Sequence, residues 1–303
     1  MVAFSDNMRG ALLMMGSMAA FVFNDACMKV LLNDVPLFQA ILLRGVATVV
    51  MLVVISRWLG GLNFRMSRRD WVLVLTRSLS EIGATYFFIT ALFHMPIANV
   101  TAILQVLPLT VTLAGAMLFG EKLGWRRLLA IMIGFVGVMI IVRDGITGLN
   151  TYAVYALIAV GFVTVRDLCA RRLSAGVSSV TIALVGAIAI VGFSAVGSLN
   201  VEWVAISGKS AALLAGATLF IIGGYLFSVM TMRVGEISFI APFRYTSLLW
   251  ALLLGFVIFG DWPDTLTMLG IAIVVTTGAF TFYRERRLAH IDKGATVTGL
   301  RIR

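Results

Sequence analysis

The chain has 303 residues, of which 60% are hydrophobic and only 13% are charged, and its formal net charge is +10. A soluble domain of this length cannot keep so much apolar surface out of water, so the composition excludes that class and indicates a protein whose solvent is lipid. With two cysteines, two histidines and no hydrolase, metalloprotease or nucleotide-binding motif, the sequence also argues against an enzyme and predicts no metal and no cofactor.

Ten apolar runs follow one another along the chain with short connections between them. A helix needs about 20 residues to cross a bilayer, because each residue adds about 1.5 Å across a hydrocarbon core of about 30 Å. The sequence therefore predicts an all-α membrane protein with ten transmembrane helices. In chain order these cover residues 8–30, 36–57, 70–93, 97–120, 124–142, 150–172, 178–199, 211–233, 237–260 and 264–283.

The second half of the chain repeats the pattern of the first. Residues 120–121, Gly-Glu, close one apolar run just before the next begins, and residues 260–261, Gly-Asp, do the same 140 positions later. Near the other end of each copy, Asp25 lies 142 positions before Asp167. We therefore predict two copies of one membrane unit.

The predicted boundaries place helices one to five in residues 1–146 and helices six to ten in residues 147–283, followed by a basic tail at 284–303. Since five is an odd number, the second copy must enter the membrane from the opposite side. The loop charges agree: residues 58–69 are basic, whereas the counterpart at 200–210 carries one Lys and one Glu. Two inverted five-helix repeats are typical of carriers that alternate their access around a midplane site.

The lysines and arginines are distributed unevenly between the two sides of the predicted membrane. Most of them fall on the side of the N-terminus, which is the positive-inside pattern and predicts that both termini are cytoplasmic. This distribution explains the net charge without nucleic acid. The predicted partners are the lipid bilayer and a small-molecule substrate, and both a monomer and a homodimer stay open.

The segment PIANVTAILQVLPLTVTLAGAMLFGEKL, within residues 77–144, resembles the EamA-type repeat of the drug/metabolite transporter superfamily. APFRYTSLLWALLLGFVIFGDWPD resembles the second copy of that repeat, and DACMKVLL with VPLFQ and LLRG resembles the opening of one bacterial subgroup. The resemblance covers nearly the whole chain and implies a ten-helix carrier of small polar metabolites in the bacterial inner membrane. It leaves the cargo open, since members move amino acids, sugars, vitamins, nucleosides and amphiphilic drugs.

Charged residues inside the predicted spans are candidate functional residues, because an unpaired charge at mid-bilayer costs about 2.5 kcal/mol or more. Asp25 and Asp167 occupy equivalent positions in the two copies, and each has an arginine on another helix at similar depth. We expect Asp25 and Arg44 to form a periplasmic gate. For the cytoplasmic gate we expect Asp167 to pair with Arg244, with Arg77 as the other candidate.

The alternative for these charges is a set of static ion pairs that hold the helices together. Arg77 and Glu81 are four residues apart on one helix face, so they are able to satisfy each other. Lys29, one turn after Asp25, is expected to extend its amine to the membrane interface.

Two prolines, Pro108 and Pro242, lie inside the fourth and ninth predicted helices. Proline removes a backbone donor and exposes carbonyls that a ligand is able to use, although a packing kink is the alternative. Polar and aromatic residues at similar depth predict a midplane pocket for a zwitterion or an anion with an apolar or ring portion. Its candidate substrate-binding residues are Glu81, Tyr86, Gln105, Arg244, Tyr245 and Trp250; for Trp250 a packing or lipid-facing role is the alternative.

The function predicted from these features is a secondary transporter of a small polar, zwitterionic or anionic metabolite, with a preference for export. The alternative within the family is an importer of a vitamin or nucleotide-like compound, of the riboflavin or S-adenosylmethionine type. From other classes, a channel and a membrane scaffold stay open. The proton is one candidate coupling ion, acting through Glu81 or Asp25, beside facilitated diffusion and exchange.

Overall fold

The computed structural model describes residues 6–58, 61–120, 125–144, 148–174, 176–231, 234 and 237–299. This part of the chain is almost entirely helical, as predicted. The exception is a two-residue antiparallel pairing between β1 (Arg143–Asp144) and β2 (Gly148–Leu149). Glu121, one of the residues that carry the repeat pattern, lies outside the described residues.

The α-helices follow the predicted apolar runs, with two of the runs divided into shorter segments. They are α1 (Asp6–Leu31), α2 (Leu37–Ser56), α3 (Arg68–His94), α4 (Ile97–Leu104), α5 (Leu107–Phe119), α6 (Trp125–Val142), α7 (Thr151–Arg172), α8 (Ser179–Gly197), α9 (Gly208–Thr231), α10 (Ile237–Ile240), α11 (Thr246–Leu254) and α12 (Thr265–Gly299). Short 3₁₀ segments cover Ser198–Asn200 and Ala241–Tyr245, and a π-helical turn covers Gly255–Phe259.

Eight helical stretches among the described residues are long and apolar enough to cross a membrane. Three of these stretches are composite: Ile97–Phe119 joins α4 to α5, Ser179–Asn200 joins α8 to a 3₁₀ segment, and Ala241–Phe259 includes α11. The remaining two predicted spans are shorter apolar helices at Leu128–Val142 and Thr265–Thr281. The all-α membrane fold is thus confirmed. α12 continues to Gly299, well beyond the last apolar run at 283.

Local hydrogen bonds explain where several helices begin. At the start of α3, the Ser67 hydroxyl accepts a hydrogen bond from the backbone N–H of Asp70 at 3.1 Å and donates one to the Asp70 carboxylate at 2.7 Å. At the start of α7, the Asn150 side chain accepts from the backbone of Tyr152 and Ala153 at 2.9 and 3.3 Å. Such caps satisfy backbone donors that have no partner within the helix.

Two glycines end equivalent helices in the same way. Gly120 follows α5 with φ of 66°, and Gly260 follows the π-helical turn with φ of 68°. A left-handed residue at this position stops a helix, and only glycine adopts it without a steric cost. The sequence pattern that repeats after 140 positions therefore corresponds to a repeated backbone conformation.

The main helix pairs each join one half of the chain to the other. α1 packs against α9, α3 against α7, α2 against α8, and α6 against α12. α6 and α12 come so close that a Cβ on Gly270 would lie 2.7 Å from the carbonyl oxygen of Gly137. Small residues permit such close packing, which supplies van der Waals attraction where lipid removes the hydrophobic drive between helices. The core accordingly lies between the halves.

Candidate functional site

A network of charged side chains, here called the Glu81 network, joins α3 to α7. It consists of Arg77, Glu81, Arg166 and Asp167. Arg77 Nη2 lies 3.5 Å from Glu81 Oε2, and Arg166 Nη1 donates to Glu81 Oε1 at 3.1 Å. Arg166 also contacts Asp167 Oδ1 at 3.0 Å. Glu81 is thus held by two guanidinium groups, which offsets the cost of placing its charge inside the bundle.

Exposure changes along this network. The side chains of Arg77 and Glu81 are 14% and 13% exposed, whereas those of Arg166 and Asp167 are 26% and 33% exposed. Arg244 is exposed, although it lies close enough to Asp167 and Arg166 to sense their charges. The exposed fraction therefore rises from the Arg77–Glu81 pair on α3 to the Arg166–Asp167 pair on α7.

A second polar group, here called the Asn24 bridge, consists of Asn24, Asp25 and Arg44. Asn24 Nδ2 donates to Asp25 Oδ1 at 2.9 Å, and Arg44 Nη1 donates to Asn24 Oδ1 at 3.3 Å. Asp25 and Arg44 make no ion pair within 4.0 Å in the structure. The expected direct contact is replaced by the amide of Asn24, which lies between the two charges.

The expected contact between Asp167 and Arg244 is also not made. The Asp167 carboxylate pairs instead with Arg166, its neighbour in the sequence, and both residues lie on α7. Arg77, the other expected partner of Asp167, contacts Glu81 instead. The ion pair between Arg77 and Glu81 was expected; its connection to Arg166 was not.

The helix is interrupted at both predicted breaks. α4 ends at Leu104, and α5 begins at Leu107, one residue before Pro108. Pro242 lies in the 3₁₀ segment Ala241–Tyr245, which separates α10 from α11. In both places the chain leaves the α-helical hydrogen-bond pattern near the middle of a predicted span, as proline requires.

These two breaks meet in space. The side-chain amide of Gln105 donates to Ser247 Oγ, and Ser247 Oγ donates to the backbone carbonyl of Arg244 at 3.0 Å. Gln105 and Ser247 are 142 positions apart, the offset that separates Asp25 from Asp167. The side chain of Gln105 is thus connected through Ser247 to the backbone of Arg244.

Three predicted substrate-binding residues lie elsewhere, in apolar surroundings. Tyr86 packs against Phe38 and Phe193 with ring centroids at 6.0 and 6.1 Å. It follows Glu81 by five residues, which turns it by about 140° to another face of α3. The other two pack separately: Trp250 lies 5.9 Å from Phe23, and Tyr245 lies against Gly278.

Lys29 is bound at the C-terminal end of α3. Its Nζ donates to the carbonyl oxygens of Leu92 at 2.7 Å, Phe93 at 3.3 Å and Met95 at 2.6 Å, and the residue is only 9% exposed. The amine is therefore buried against backbone carbonyls instead of extending into solvent, and its depth relative to the membrane interface stays a prediction. The last carbonyls of a helix have no partner within the helix and attract a cation, so the end of α3 holds the Lys29 amine.

Sequence reasoning missed Asn24, Ser247 and Tyr225. Tyr225 lies on α9 with its ring edge toward Phe21 at 5.7 Å, close enough to Glu81 and to several arginines to sense their charges. The repeat offset of 142 pairs Asn24 with Arg166, so a stricter alignment of the two copies finds it. No sequence signal marks Tyr225, because its position depends on how α9 is rotated against α1.

The structure also contains an open pocket of about 470 Å³ beside the turn between α1 and α2. No predicted site residue lines it. Its walls are residues 32–37, Thr90, Phe93, His94 and Val204.

Within the described residues, no group of three His, Cys, Asp or Glu side chains is placed to hold a metal ion. The chemistry of the interior is therefore that of guanidinium, carboxylate and amide groups.

Comparison with known proteins places this architecture among transporters. Residues 8–143 match the EamA-like transporter family. The chain is 28% identical over 247 residues to a riboflavin transporter of Vibrio cholerae, covering 80% of this chain and 82% of that protein. It is 23% identical over 235 residues to an S-adenosylmethionine uptake transporter of Rickettsia prowazekii, covering 75% and 76%.

A crystal structure with 18% sequence identity has the same fold, with a TM-score of 0.62 over 92% of this chain and 98% of the other. The family match, the relatives and the helical membrane fold agree with one another. Residues 8–143 thus match the EamA-like transporter family, and the chain as a whole is similar to membrane transporters.

Proposed function

We propose that the chain is a secondary carrier that moves a small zwitterionic or anionic metabolite by alternating access. The observation that carries the substrate class is the charge balance among the described side chains within the bundle: four guanidinium groups face three carboxylates, and the additional cation, Lys29, is already bound by backbone carbonyls at the end of α3. One positive charge is left to attract a carboxylate or phosphate of the substrate. The groups are Arg44, Arg77, Arg166 and Arg244, with Asp25, Glu81 and Asp167.

Helix pairing supports alternating access. The first helix of each half packs against the third helix of the other, as α1 with α9 and α3 with α7. The second helices pack together, as do the fifth, α2 with α8 and α6 with α12. A pattern that is unchanged when the halves are exchanged favours two inverted repeats, residues 1–146 and 147–283, and hence two related conformations around one site.

The proposed substrate site lies where the Glu81 network approaches the two helix breaks. Arg244 is exposed beside Asp167, Gln105 lies against Ser247 next to the Arg244 backbone, and Glu81 holds the arginines in place. Tyr225 is added to this site because its hydroxyl interacts electrostatically with Glu81. Tyr86, Tyr245 and Trp250 are assigned to packing around it.

The names of the relatives bear on the direction of transport. One is named for uptake of S-adenosylmethionine, and this favours the importer alternative over the preference for export that the sequence suggested. Riboflavin and S-adenosylmethionine both carry a ring system and polar groups, which agrees with a ring-bearing polar substrate. The proposed location is a bacterial inner membrane. The distribution of loop charges favours an orientation with both termini in the cytoplasm.

A thermal-shift screen of the purified protein tests the substrate class. The panel contains amino acids, organic acids, purines, flavins and sulfonium compounds. A ligand stabilises the folded state by about 2.7 kcal/mol at a hundredfold excess over its Kd, so a substrate raises the melting temperature clearly. Arg244→Ala and Glu81→Gln are expected to abolish the shift. The matched control is Lys209→Ala, which removes an exposed ion pair with Asp34.

Flux in proteoliposomes tests the mechanism. A carrier gives saturable uptake that unlabelled substrate inside the vesicle accelerates, whereas a channel gives uptake that trapped substrate does not accelerate. Non-saturable flux contradicts alternating access. The substrate class is overturned when every compound that shifts the melting temperature is a cation without an anionic group.

A further inference from the structure

Two cations lie over phenylalanine rings at equivalent places in the two halves. Lys29 Nζ, near the end of α1, is 5.4 Å from the centre of the Phe259 ring. The Arg172 guanidinium, at the end of α7, is 3.6 Å from the centre of the Phe119 ring. Both distances are within the range of cation–π attraction, so each contact ties the end of one helix to a ring on another.

The repeat relates these contacts to each other. Phe119 and Phe259 are 140 positions apart, and each immediately precedes the left-handed glycine that ends its helix. Lys29 is 142 positions before Arg171, the direct neighbour of Arg172. Each contact therefore joins the first helix of one half to the end of the fourth helical span of the other half.

The two contacts lie at opposite ends of the helix bundle, because each is connected to a different end of α3. Lys29 bonds to the carbonyl oxygens of Leu92, Phe93 and Met95 at the C-terminal end of α3. Ser174, two residues after Arg172, donates through its backbone and its hydroxyl to Asp70 at the N-terminal end, both at 3.1 Å. Residues 70 and 92 are about 33 Å apart along a helix that rises about 1.5 Å per residue.

The two ends differ in strength. Lys29 is 9% exposed and holds three carbonyl oxygens in addition to its ring, whereas Arg172 is exposed. Around Lys29 the fully buried side chains of Met28, Leu31 and Leu92 fill the space between helices. The Lys29 end is thus the firmly closed one, and the Arg172 end is the one that opens at lower cost.

We propose that the Lys29–Phe259 and Arg172–Phe119 contacts are the two closures between which the carrier alternates. This proposal rests on the proposed alternating-access function and assigns four positioning residues to it. Opening one end separates its cation from its ring while the contact at the other end holds. The closures replace the gates expected from Asp25 with Arg44 and Asp167 with Arg244, which make no direct ion pairs in the structure.

The native cysteines report on both ends in the full chain. Cys27 lies two residues before Lys29, Cys169 lies three residues before Arg172, and both are free and partly buried. In the Cys169→Ser background, the rate of maleimide modification of Cys27 measures opening of the Lys29 end. In the Cys27→Ser background, the rate at Cys169 measures opening of the Arg172 end. Neither rate requires a known substrate.

Phe259→Leu removes a ring and keeps an apolar side chain. We expect it to raise the Cys27 rate about threefold to thirtyfold and to lower the Cys169 rate, because the equilibrium shifts from one closure to the other. Phe119→Leu is expected to act in the opposite sense, with a change of about threefold, since its cation is exposed. Phe259→Tyr and Phe119→Tyr keep a ring and should restore both rates.

Opposite changes of the Cys27 and Cys169 modification rates, here called reciprocity, distinguish a closure from local packing. If each leucine variant changes only the rate of the cysteine beside it, or if tyrosine fails to restore the rates, the proposal is overturned. Gel filtration and the melting temperature verify folding; should Phe259→Leu fail to fold, Lys29→Met provides the same comparison. Reciprocal rates without substrate flux would contradict the transport proposal alone, and flux without reciprocity would contradict the closures alone.

Discussion

Asn24–Asp25 and Arg166–Asp167 occupy the same position in the two halves of the chain, yet they are connected differently. In the first half a neutral amide lies between the carboxylate and Arg44, at 2.9 and 3.3 Å. In the second half a guanidinium contacts Asp167 at 3.0 Å and also Glu81 at 3.1 Å. Equivalent positions of the predicted repeat thus carry a hydrogen-bonded bridge in one half and an ion-pair network in the other.

This difference assigns different roles to the carboxylates. Glu81 has two arginines within 4.0 Å, which stabilise its charge, whereas Asp25 has only an amide within hydrogen-bond distance. Asp25 is therefore the better of the two candidates for a carboxylate whose protonation changes during transport. Glu81 is better suited to holding the arginines at the substrate site.

The largest effect is expected from Glu81→Gln, which removes the common partner of Arg77 and Arg166. Breaking a buried ion pair leaves an uncompensated charge and costs about 3–5 kcal/mol. Melting curves in detergent measure this loss. The double variant with Arg77→Gln should recover part of it, because Arg77 loses its partner Glu81 whereas Arg166 keeps Asp167. An unchanged melting temperature for Glu81→Gln would mean that the network does not stabilise the fold.

Arg166→Asn gives the second half the same dipeptide as the first. Glu81 keeps Arg77, so we expect a smaller destabilisation, about 2–3 kcal/mol for lost hydrogen bonds between charged groups. The matched control is Arg171→Asn, five residues along the same helix and exposed, which should change the melting temperature little. Equal losses for both variants would contradict a special position of Arg166.

Asn24→Ala breaks the bridge between Asp25 and Arg44. The loss should be about 1–2 kcal/mol, because a neutral amide is removed and neither charged group changes. Asn24 is 2% exposed, so water does not easily replace the missing amide. A loss larger than that of Arg166→Asn in the same melting experiment would reverse the ranking of the two halves.

The smallest effect is expected at the Asp264 carboxylate, outside the spans. Hydrogen bonding from Thr267, with its backbone N–H at 2.8 Å, holds the pKa of Asp264 below its ordinary value, and Arg143 lies 3.2 Å away. A lowered pKa gives stability that is present above the ordinary aspartate pKa and is lost as the pH falls through the lowered value.

Because the Asp264 side chain is 60% exposed, solvent and salt screen this contribution. Asp264→Asn keeps the helix cap and removes the charge. We expect it to melt slightly below the unchanged protein at pH 7 and together with it at pH 2. A difference at pH 7 as large as that of Arg166→Asn would remove the contrast between interior and surface charges.

Helices were predictable because their signals are local. The apolar runs, the caps at Ser67 and Asn150 and the glycines at 120 and 260 all act within a few residues of one another. The partner of Glu81 was predictable only within α3, where Arg77 is four residues away. Arg166 is 85 positions from Glu81 and meets it through the packing of α3 against α7.

Lys29 illustrates the same limit. A lysine near the end of a spanning helix predicts an amine at the interface, because the sequence gives its depth and nothing about its neighbours. The structure supplies three carbonyl oxygens at the end of α3, and these hold the amine inside. The packing of Tyr86 and Trp250 against aromatic rings was not predictable for a related reason, since depth along a helix does not fix the direction in which a side chain points.

The sequence by itself determined that this protein lies in a membrane and which charges its helices contain, and it predicted that the chain is duplicated. Composition, run length and a fixed offset encode these properties without reference to any contact between helices. The tertiary structure alone decided that Glu81 holds two arginines, that Asn24 separates Asp25 from Arg44, and that a cation lies on a ring at each end. Such contacts depend on the rotation of each helix about its axis, which the packing of distant segments fixes.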